Sequence, residues 1–257
     1  MKIIVSIKRV PDPDIKIRPK PDHSGIDLEG VNFVMNPFDA VALEEAIRLR
    51  EKTGKAEIVL VSIGSTDCVE QLRQGIAMGA DRACLVRHDG DLDSLLVARI
   101  LAKVSAKENP DLILMGKQAA DDDCAQAGQM LAGLLDIGQA TFISKLEIRV
   151  DQALCERETD LGKETVLIKL PAVVTTDLRL NDPRYVSMLG LMRAKKATVD
   201  VLTLDELGVK DGASQRIVKL EPLPVKNRGR VVKSVDEFIG ELNVLLRASG
   251  AKNLREL

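Results

Sequence analysis

The chain has 257 residues, 45% of them apolar and 30% charged, and 37 Lys and Arg against 39 Asp and Glu leave a net charge of −2. That profile fits a soluble globular protein of one large or two modest domains, and gives no reason to expect a nucleic-acid binder. With four Phe, one Tyr and no Trp, the core is aliphatic and almost nothing is on hand for stacking bases.

The run "KIIVSIK" predicts a strand over about residues 2–8. A long connection follows, with a hairpin expected around "PDHSG" inside "DIKIRPKPDHSGIDL". In "NPFDAVALEEAIRLREKTG", Phe38, Ala42, Ala46 and Leu49 share a helical face that stops at Gly54. "AEIVLVSI" predicts the next strand, "STDCVEQLRQGIAMGA" a helix and "ACLVR" a strand. "LDSLLVARILAKVSAKEN" places Leu92, Leu96, Ile100 and Val104 on one helical face. "DLILMG" is a strand, and "GKQAADDDCAQAGQM" leads into a helix ending near Leu135. Strands alternating with helices of this length mean βαβ units and a parallel sheet covered on both faces. After Gly138 the pattern changes. "TFISKLEIRV", "ALCERET", "ETVLIKL" and "AVVTTD" are strand-like with no helix between them, which suggests an antiparallel section. "NDPRYVSMLGLMRAKK" returns to helical character. "LEPLPVKNRGRVV" should be extended, and "SVDEFIGELNVLLRAS" forms a last amphipathic helix. The fold class is thus α/β: a doubly wound, mainly parallel sheet with an antiparallel section and an extended C-terminal arm ending in a helix. The expected division is residues 1–204, carrying the nucleotide-binding fold, and 205–257, an arm that either grips another subunit or straps its own domain.

The four cysteines stand apart in sequence and read as separate reduced thiols. "MKIIVSIKRV" lacks the apolar region of a signal peptide and the Arg- and Ser-rich, acid-poor character of a transit peptide. No apolar run reaches the ~18 residues that a membrane helix needs. A cytoplasmic, bacterial protein with no membrane insertion is expected.

Neither G-x-G-x-x-G, nor a P-loop, nor G-x-S-x-G is present. His23 and His88 lack metal-ligand spacing and are expected at the surface. Attention therefore falls on the crevice at the carboxyl ends of the strands. There Ser6 offers a hydroxyl, Asn36 an amide, and Gly64 and Gly116 bare backbone. Each glycine alone is explained by a tight turn; their convergence favours a mononucleotide pocket. Phosphate would sit on the N–H groups of a helix opening near Asp123. Asp123 with Gln126 resembles a capping box, and a divalent ion on Asp121–Asp123 is the weaker alternative. The helix around Met188 either packs on its own core or offers a methionine-rich surface with a basic end to partners.

Four segments carry a family resemblance: "MNPFDAVALEEAIRLREK", "AMGADRACLV", "LILMGKQAADDDCAQAGQML" and "LPAVVTTDLRLNDPRYVSMLGLMRAKK". With "KIIVSIKRVPD" they span the chain to about residue 196, and together they resemble the β subunit of electron transfer flavoproteins. The resemblance implies a heterodimer with a larger α subunit that holds most of the FAD. It implies an electron carrier rather than an enzyme. Electrons come from acyl-CoA and other flavin dehydrogenases and pass to a membrane quinone oxidoreductase, electron transfer flavoprotein-quinone oxidoreductase. The crevice then binds AMP as a structural ligand. Carried over by position, the AMP site is Ser6, Asn36, Pro37, Phe38, Asp39, Ile63, Gly116, Lys117, Gln118, Ala119, Ala120, Asp121, Asp122, Asp123, Cys124, Ala125, Gln126 and Ala127. Phe38 lies toward the flavin. The recognition loop, residues 181–196, docks the dehydrogenase through Tyr185, Met188, Leu189, Leu191, Met192, Arg193 and Lys195. Met188 replaces a family Leu of similar volume, and Pro13 replaces a Tyr near the flavin, removing its hydroxyl. An electron-bifurcating branch carries a second FAD in place of AMP. Its loop has Gly where this chain has Asp122, which favours AMP here. A stand-alone adenine-nucleotide hydrolase or ligase using Asp121–Asp123 with Mg²⁺, and a nucleotide-binding sensor, are further alternatives.

Overall fold

A computed structural model of the chain describes residues 1–222 and 229–249. The elements run β1 (Lys2–Ser6), β2 (Arg9–Pro11), β3 (Arg18–Pro19), β4 (Ile26–Asp27), β5 (Phe33–Met35), α1 (Pro37–Thr53), β6 (Glu57–Gly64), α2 (Val69–Met78), β7 (Arg82–Arg87), α3 (Ser94–Glu108) and β8 (Leu112–Gly116). They continue with α4 (Ala127–Leu135), β9 (Gly138–Arg149), β10 (Gln152–Thr159), β11 (Gly162–Lys169), β12 (Ala172–Thr176), α5 (Met188–Lys196), β13 (Asp200–Thr203), α6 (Leu204–Leu207) and α7 (Val235–Ser249).

Nine strands make one sheet in the order β11-β10-β9-β12-β8-β1-β6-β7-β13. The strands β13, β7, β6, β1, β8, β12 and β9 run parallel to one another, while β10 is antiparallel to both β9 and β11. Buried side chains alternate between two cores. Ile3, Val5, Leu60 and Leu114 face α1 and α2, with Leu43, Ile47 and Leu72. Ile4, Val59, Val61 and Ile113 face α3 and α4, with Leu96, Ile100 and Leu131. This is the doubly wound, two-faced arrangement expected of near-continuous apolar strands. Pro at the first turn of α1 and the left-handed Gly54, whose N–H donates to the Arg50 carbonyl, fix that helix's ends.

Several expectations are corrected. The strand "AVVTTD" is not part of the antiparallel section: β12 re-enters the sheet between β8 and β9, parallel to both. The helix expected from residue 181 begins at Met188, and the one expected near Asp123 begins at Ala127. The hairpin around "PDHSG" pairs only β3 with β4. Strand β13, which pairs with β7, was not legible. Part of the expected extended stretch, 223–228, lies outside the described residues.

The chain divides into two compact units, Met1–Leu220 and Glu221–Leu257. In the second, Arg230 pairs with Glu237 and Glu241 on α7, whose Phe238, Ile239, Val244 and Leu245 are exposed.

Candidate functional site

Strand order reverses between β1 and β8, and a cleft opens at their carboxyl ends, where open α/β sheets bind ligands. It holds about 780 Å³ counting its open mouth. Of the residues expected there, Ser6, Asn36, Asp39, Ile63, Gly116, Lys117, Gln118, Ala119, Asp122, Cys124, Ala125, Gln126 and Ala127 line it. Pro37, Phe38, Ala120, Asp121 and Asp123 do not. Sequence reasoning missed Ile7 and Lys8 just after β1, Leu92 and Asp93 just ahead of α3, Ser94 and Val97 within it, Met115 and Gly128.

Two buried side chains frame the cleft. Asp39 Oδ1 accepts the Gly116 N–H at 3.0 Å, and its Oδ2 accepts the Lys8 N–H at 2.7 Å. One carboxylate thus ties the ends of β8 and β1 to α1. Burial pushes its pKa up to about 7, against the hydrogen bonds from Lys8, Asn36 and Gly116. Asn36 donates to the Gln118 carbonyl at 2.9 Å and accepts from the Ala120 N–H at 3.2 Å. Its amide is committed to shaping the loop after β8. A Cβ on Gly116 would lie 2.4 Å from Asp39 Oδ1 and 2.6 Å from Phe38 Cβ. The close approach that this glycine permits is therefore to α1.

The loop Lys117–Gln126 explains the three aspartates. Lys8 Nζ meets Asp121 Oδ1 at 2.7 Å and Asp122 Oδ2 at 2.9 Å. Burial lowers the Lys8 pKa, but the two carboxylates outweigh it and the net shift is upward. Asp122 Oδ1 also accepts the Cys124 N–H, and Asp123 accepts from the Gln118 amide. Asp123 and Ala125 have φ of 49° and 51°, and α4 begins only at Ala127, so Asp123 does not cap it. The residue before α4 is Gln126, which supplies no side-chain cap. The first helical bond of α4 runs from Met130 N–H to the Gln126 carbonyl. The N–H groups of Ala127, Gly128 and Gln129 precede it, and Ala127 and Gly128 line the cleft. A Cβ on Gly128 would come 2.4 Å from Thr175 Cγ2, so this glycine seats α4 against β12. Among the described residues, no group of three or more His, Cys, Asp or Glu is arranged to hold a metal ion.

Beside the cleft, Lys117 Nζ pairs with the buried Asp177 at 2.8 Å and stands 5.4 Å from the Phe38 ring centroid and 6.0 Å from that of Phe142. Asp177 also accepts from Arg179. Burial works against its charged form, but Arg179 and Lys117 hold the carboxyl far below its usual range. Phe142 has φ of 59° where β9 slips register against β12, and its N–H donates to Thr175 Oγ1.

The expected docking residues lie on one short helix, α5, except Tyr185, which precedes it. Ser187 caps α5 by accepting the Gly190 N–H. Met188 is 76% and Met192 64% exposed, and Tyr185, Leu189, Leu191, Arg193 and Lys195 are exposed too, whereas Ala194 is buried. A Cβ on Gly190 would lie 2.5 Å from the Ala77 carbonyl, so α5 lies almost in backbone contact with α2. The approach to α5 is anchored to α1. Asn181 donates to the Val41 carbonyl and to Glu45, and Arg184 bonds both Glu44 and Glu51. Burial pushes the Glu44 carboxyl up, and its arginine partners Arg184 and Arg48 more than reverse the shift.

The histidines differ from expectation. His88 is buried, with Nε2 3.3 Å from the Asp91 carbonyl and 3.7 Å from Asp211. His23 is half-buried and its Nδ1 lies 2.8 Å from the Leu220 carbonyl. Asp93, at the cleft, caps α3 and also accepts the N–H groups of Ser214 and Gln215. Residues 211–220 thus belong to the first unit, held to it at Asp93 and His23.

Residues 25–207 match the electron transfer flavoprotein domain. The chain is 48% identical over 242 residues to the electron transfer flavoprotein subunit beta of Bradyrhizobium diazoefficiens, covering 94% of this chain and 97% of that one. It is 46% identical over 244 residues to the mitochondrial subunit beta of Arabidopsis thaliana, covering 94% and 97%. It is 44% identical over 251 residues to the human subunit beta, covering 96% and 98%. No helix among the described residues is long and apolar enough to cross a membrane. With the matched domain spanning most of its length and the same two-faced sheet expected from its strands, the chain belongs to the electron transfer flavoprotein family.

Proposed function

We propose that this chain is the β subunit of a heterodimeric electron transfer flavoprotein that binds AMP in the cleft. The α subunit holds most of the FAD, and the flavin supplies the redox chemistry. The dimer takes electrons from acyl-CoA and related flavin dehydrogenases and passes them to a membrane quinone oxidoreductase. The observation that carries the AMP reading is the uncapped start of α4 facing a cleft with Ile63, Val97 and Met115 in its walls. Unpaired N–H groups and the helix dipole suit a phosphate, and aliphatic walls suit a purine. Ser6 and the Gly116–Ala127 stretch would hold the nucleotide, while Asn36 and Asp39 hold the loop. Phe38, outside the cleft lining, would face the flavin. The exposed apolar side chains of α5, followed by Arg193, Lys195 and Lys196, suit an acidic, partly apolar dehydrogenase surface. A cytoplasmic place accords with four unbridged cysteines.

The bifurcating alternative is disfavoured by Asp122, whose carboxylate is engaged by Lys8 at the position where that branch has Gly. Co-expression with the α subunit and a cofactor count tests the proposal. One FAD and one AMP per dimer is expected; two FAD would move the chain to the bifurcating branch. Turnover of ATP with Mg²⁺ by the purified chain, abolished by Asp122→Asn, would favour the hydrolase alternative.

A further inference from the structure

The second half of the loop after β8, Asp121–Gln126, has few ties to the rest of the fold. Among the described residues, its hydrogen bonds and ion pairs stay within the loop or reach α4, with one exception. The exception is Lys8, which reaches Asp121 and Asp122 at once. Lys8 is 113 residues away in sequence and is fixed at its base. Its N–H donates to Asp39, and its carbonyl accepts the Asn36 N–H at 2.9 Å. Its ammonium is thus a charged hook on a rigid post. Lys8 and Asp122 both line the cleft.

We propose that Lys8 is a positioning residue that latches the Asp121–Gln126 segment beside the cleft and so governs exchange of the nucleotide. The first half of the loop is held by the buried Asn36 and stays put. The second half carries the residues that lead to α4; apart from Lys8 it is tied to the first half only by the N–H groups of Asp122 and Asp123 on the Ala119 carbonyl and by the Gln118 amide on Asp123, and it loosens about those ties when the two ion pairs break. Both pairs are partly exposed, with Lys8 39% and Asp122 46% accessible at the side chain. They are therefore weak singly and sensitive to salt, as a latch that must open requires. Without Lys8, two adjacent carboxylates would also repel each other and open the segment further.

The test uses the full-length chain co-expressed with its partner subunit. Two readouts are taken: hydrogen–deuterium exchange of the 121–126 amides, and replacement of bound AMP by labelled AMP. Only the second rests on the nucleotide reading, so wild-type protein without AMP would refute that reading and leave the amides to decide the latch. Lys8→Met is expected to speed both by about tenfold, the combined worth of two exposed pairs. Lys8→Arg should keep near wild-type behaviour, and Asp121→Asn with Asp122→Asn should also speed both, somewhat less than Lys8→Met because no like charges remain, while keeping the Lys8 stem. About 0.5 M salt, where charge pairs are screened, should speed the wild type and Lys8→Arg far more than Lys8→Met or the double Asn variant. Wild-type amide protection in folded Lys8→Met or in the double Asn variant would overturn the proposal. So would a Lys8→Arg protein as open as Lys8→Met.

Discussion

Gly116 and Asp39 are locked together: the glycine N–H donates to the buried carboxylate at 3.0 Å, and the space a side chain would need at position 116 is already taken by that carboxylate and by Phe38. Gly116→Ala forces Asp39 away from both strand ends. The expected cost is about 1–3 kcal/mol, as for other overpacked sites, together with loss of the AMP proposed for the cleft. Thermal unfolding and nucleotide content after denaturation check it; an Ala variant that melts like wild type would show that α1 yields freely.

Asn36→Leu removes a buried donor and a buried acceptor at once. The Gln118 carbonyl and the Ala120 N–H lose their partner, and the expected loss is about 1–3 kcal/mol. Asn36→Asp keeps acceptance from Ala120 and loses donation to Gln118. Amide exchange at Ala120 should therefore rise in the Leu variant and less so in the Asp variant. Equal protection in all three proteins would remove Asn36 from the frame.

Asp39 sets a pH dependence of definite sign. Its carboxyl titrates near 3.8 when unfolded and about 7 when folded. Between those values the folded protein holds the extra proton, so this group's contribution to stability falls as pH rises from about 4 to about 7. Asp177 and Glu44, whose carboxyls are pulled down by arginine or lysine partners, act the other way and lose their contribution as pH falls below the unfolded value. A carbon-detected NMR titration should place the Asp39 midpoint near 7. A midpoint below 5 would mean that the backbone donors outweigh burial.

How much of this was legible follows from where each signal lies. β1, β6, β7 and β8 are short apolar runs, and α1 carries its own stop at Gly54, so these elements could be read locally. The start of α4 could not. "DDDCAQ" has the letters of a cap, but Lys8 takes two of the carboxylates and left-handed backbone at Asp123 and Ala125 delays the helix. Asp39 reads as an ordinary acid in a first helical turn; its role depends on N–H groups 31 and 77 residues away. β12 looks like the next strand of a meander, and only its pairing with β8 reveals its return to the parallel part. Strand β13 is four residues long and begins with an aspartate, too little for a pattern.

The docking reading of α5 can be separated from its packing. Gly190→Ala drives a methyl group into the Ala77 carbonyl of α2 and should lift the helix, slowing electron uptake from a dehydrogenase with FAD and AMP content unchanged. Met188→Ala, at an exposed position, should slow uptake without lowering stability by more than about 0.5 kcal/mol. Loss of fold in Met188→Ala would identify that methionine as core.

The sheet also dictates when the molecule can form. β1 needs β6 and β8, β8 needs β12, and β7 acquires its outer neighbour β13 only near residue 200. A ribosome must therefore release most of the chain before the central strands are flanked. Contacts so distant in sequence make for slow folding, and the growing chain carries bare strand edges meanwhile. Truncation anywhere before β12 would leave the β8 edge unpaired, so early stop variants should be recovered with chaperones or in aggregates and not as a smaller soluble domain.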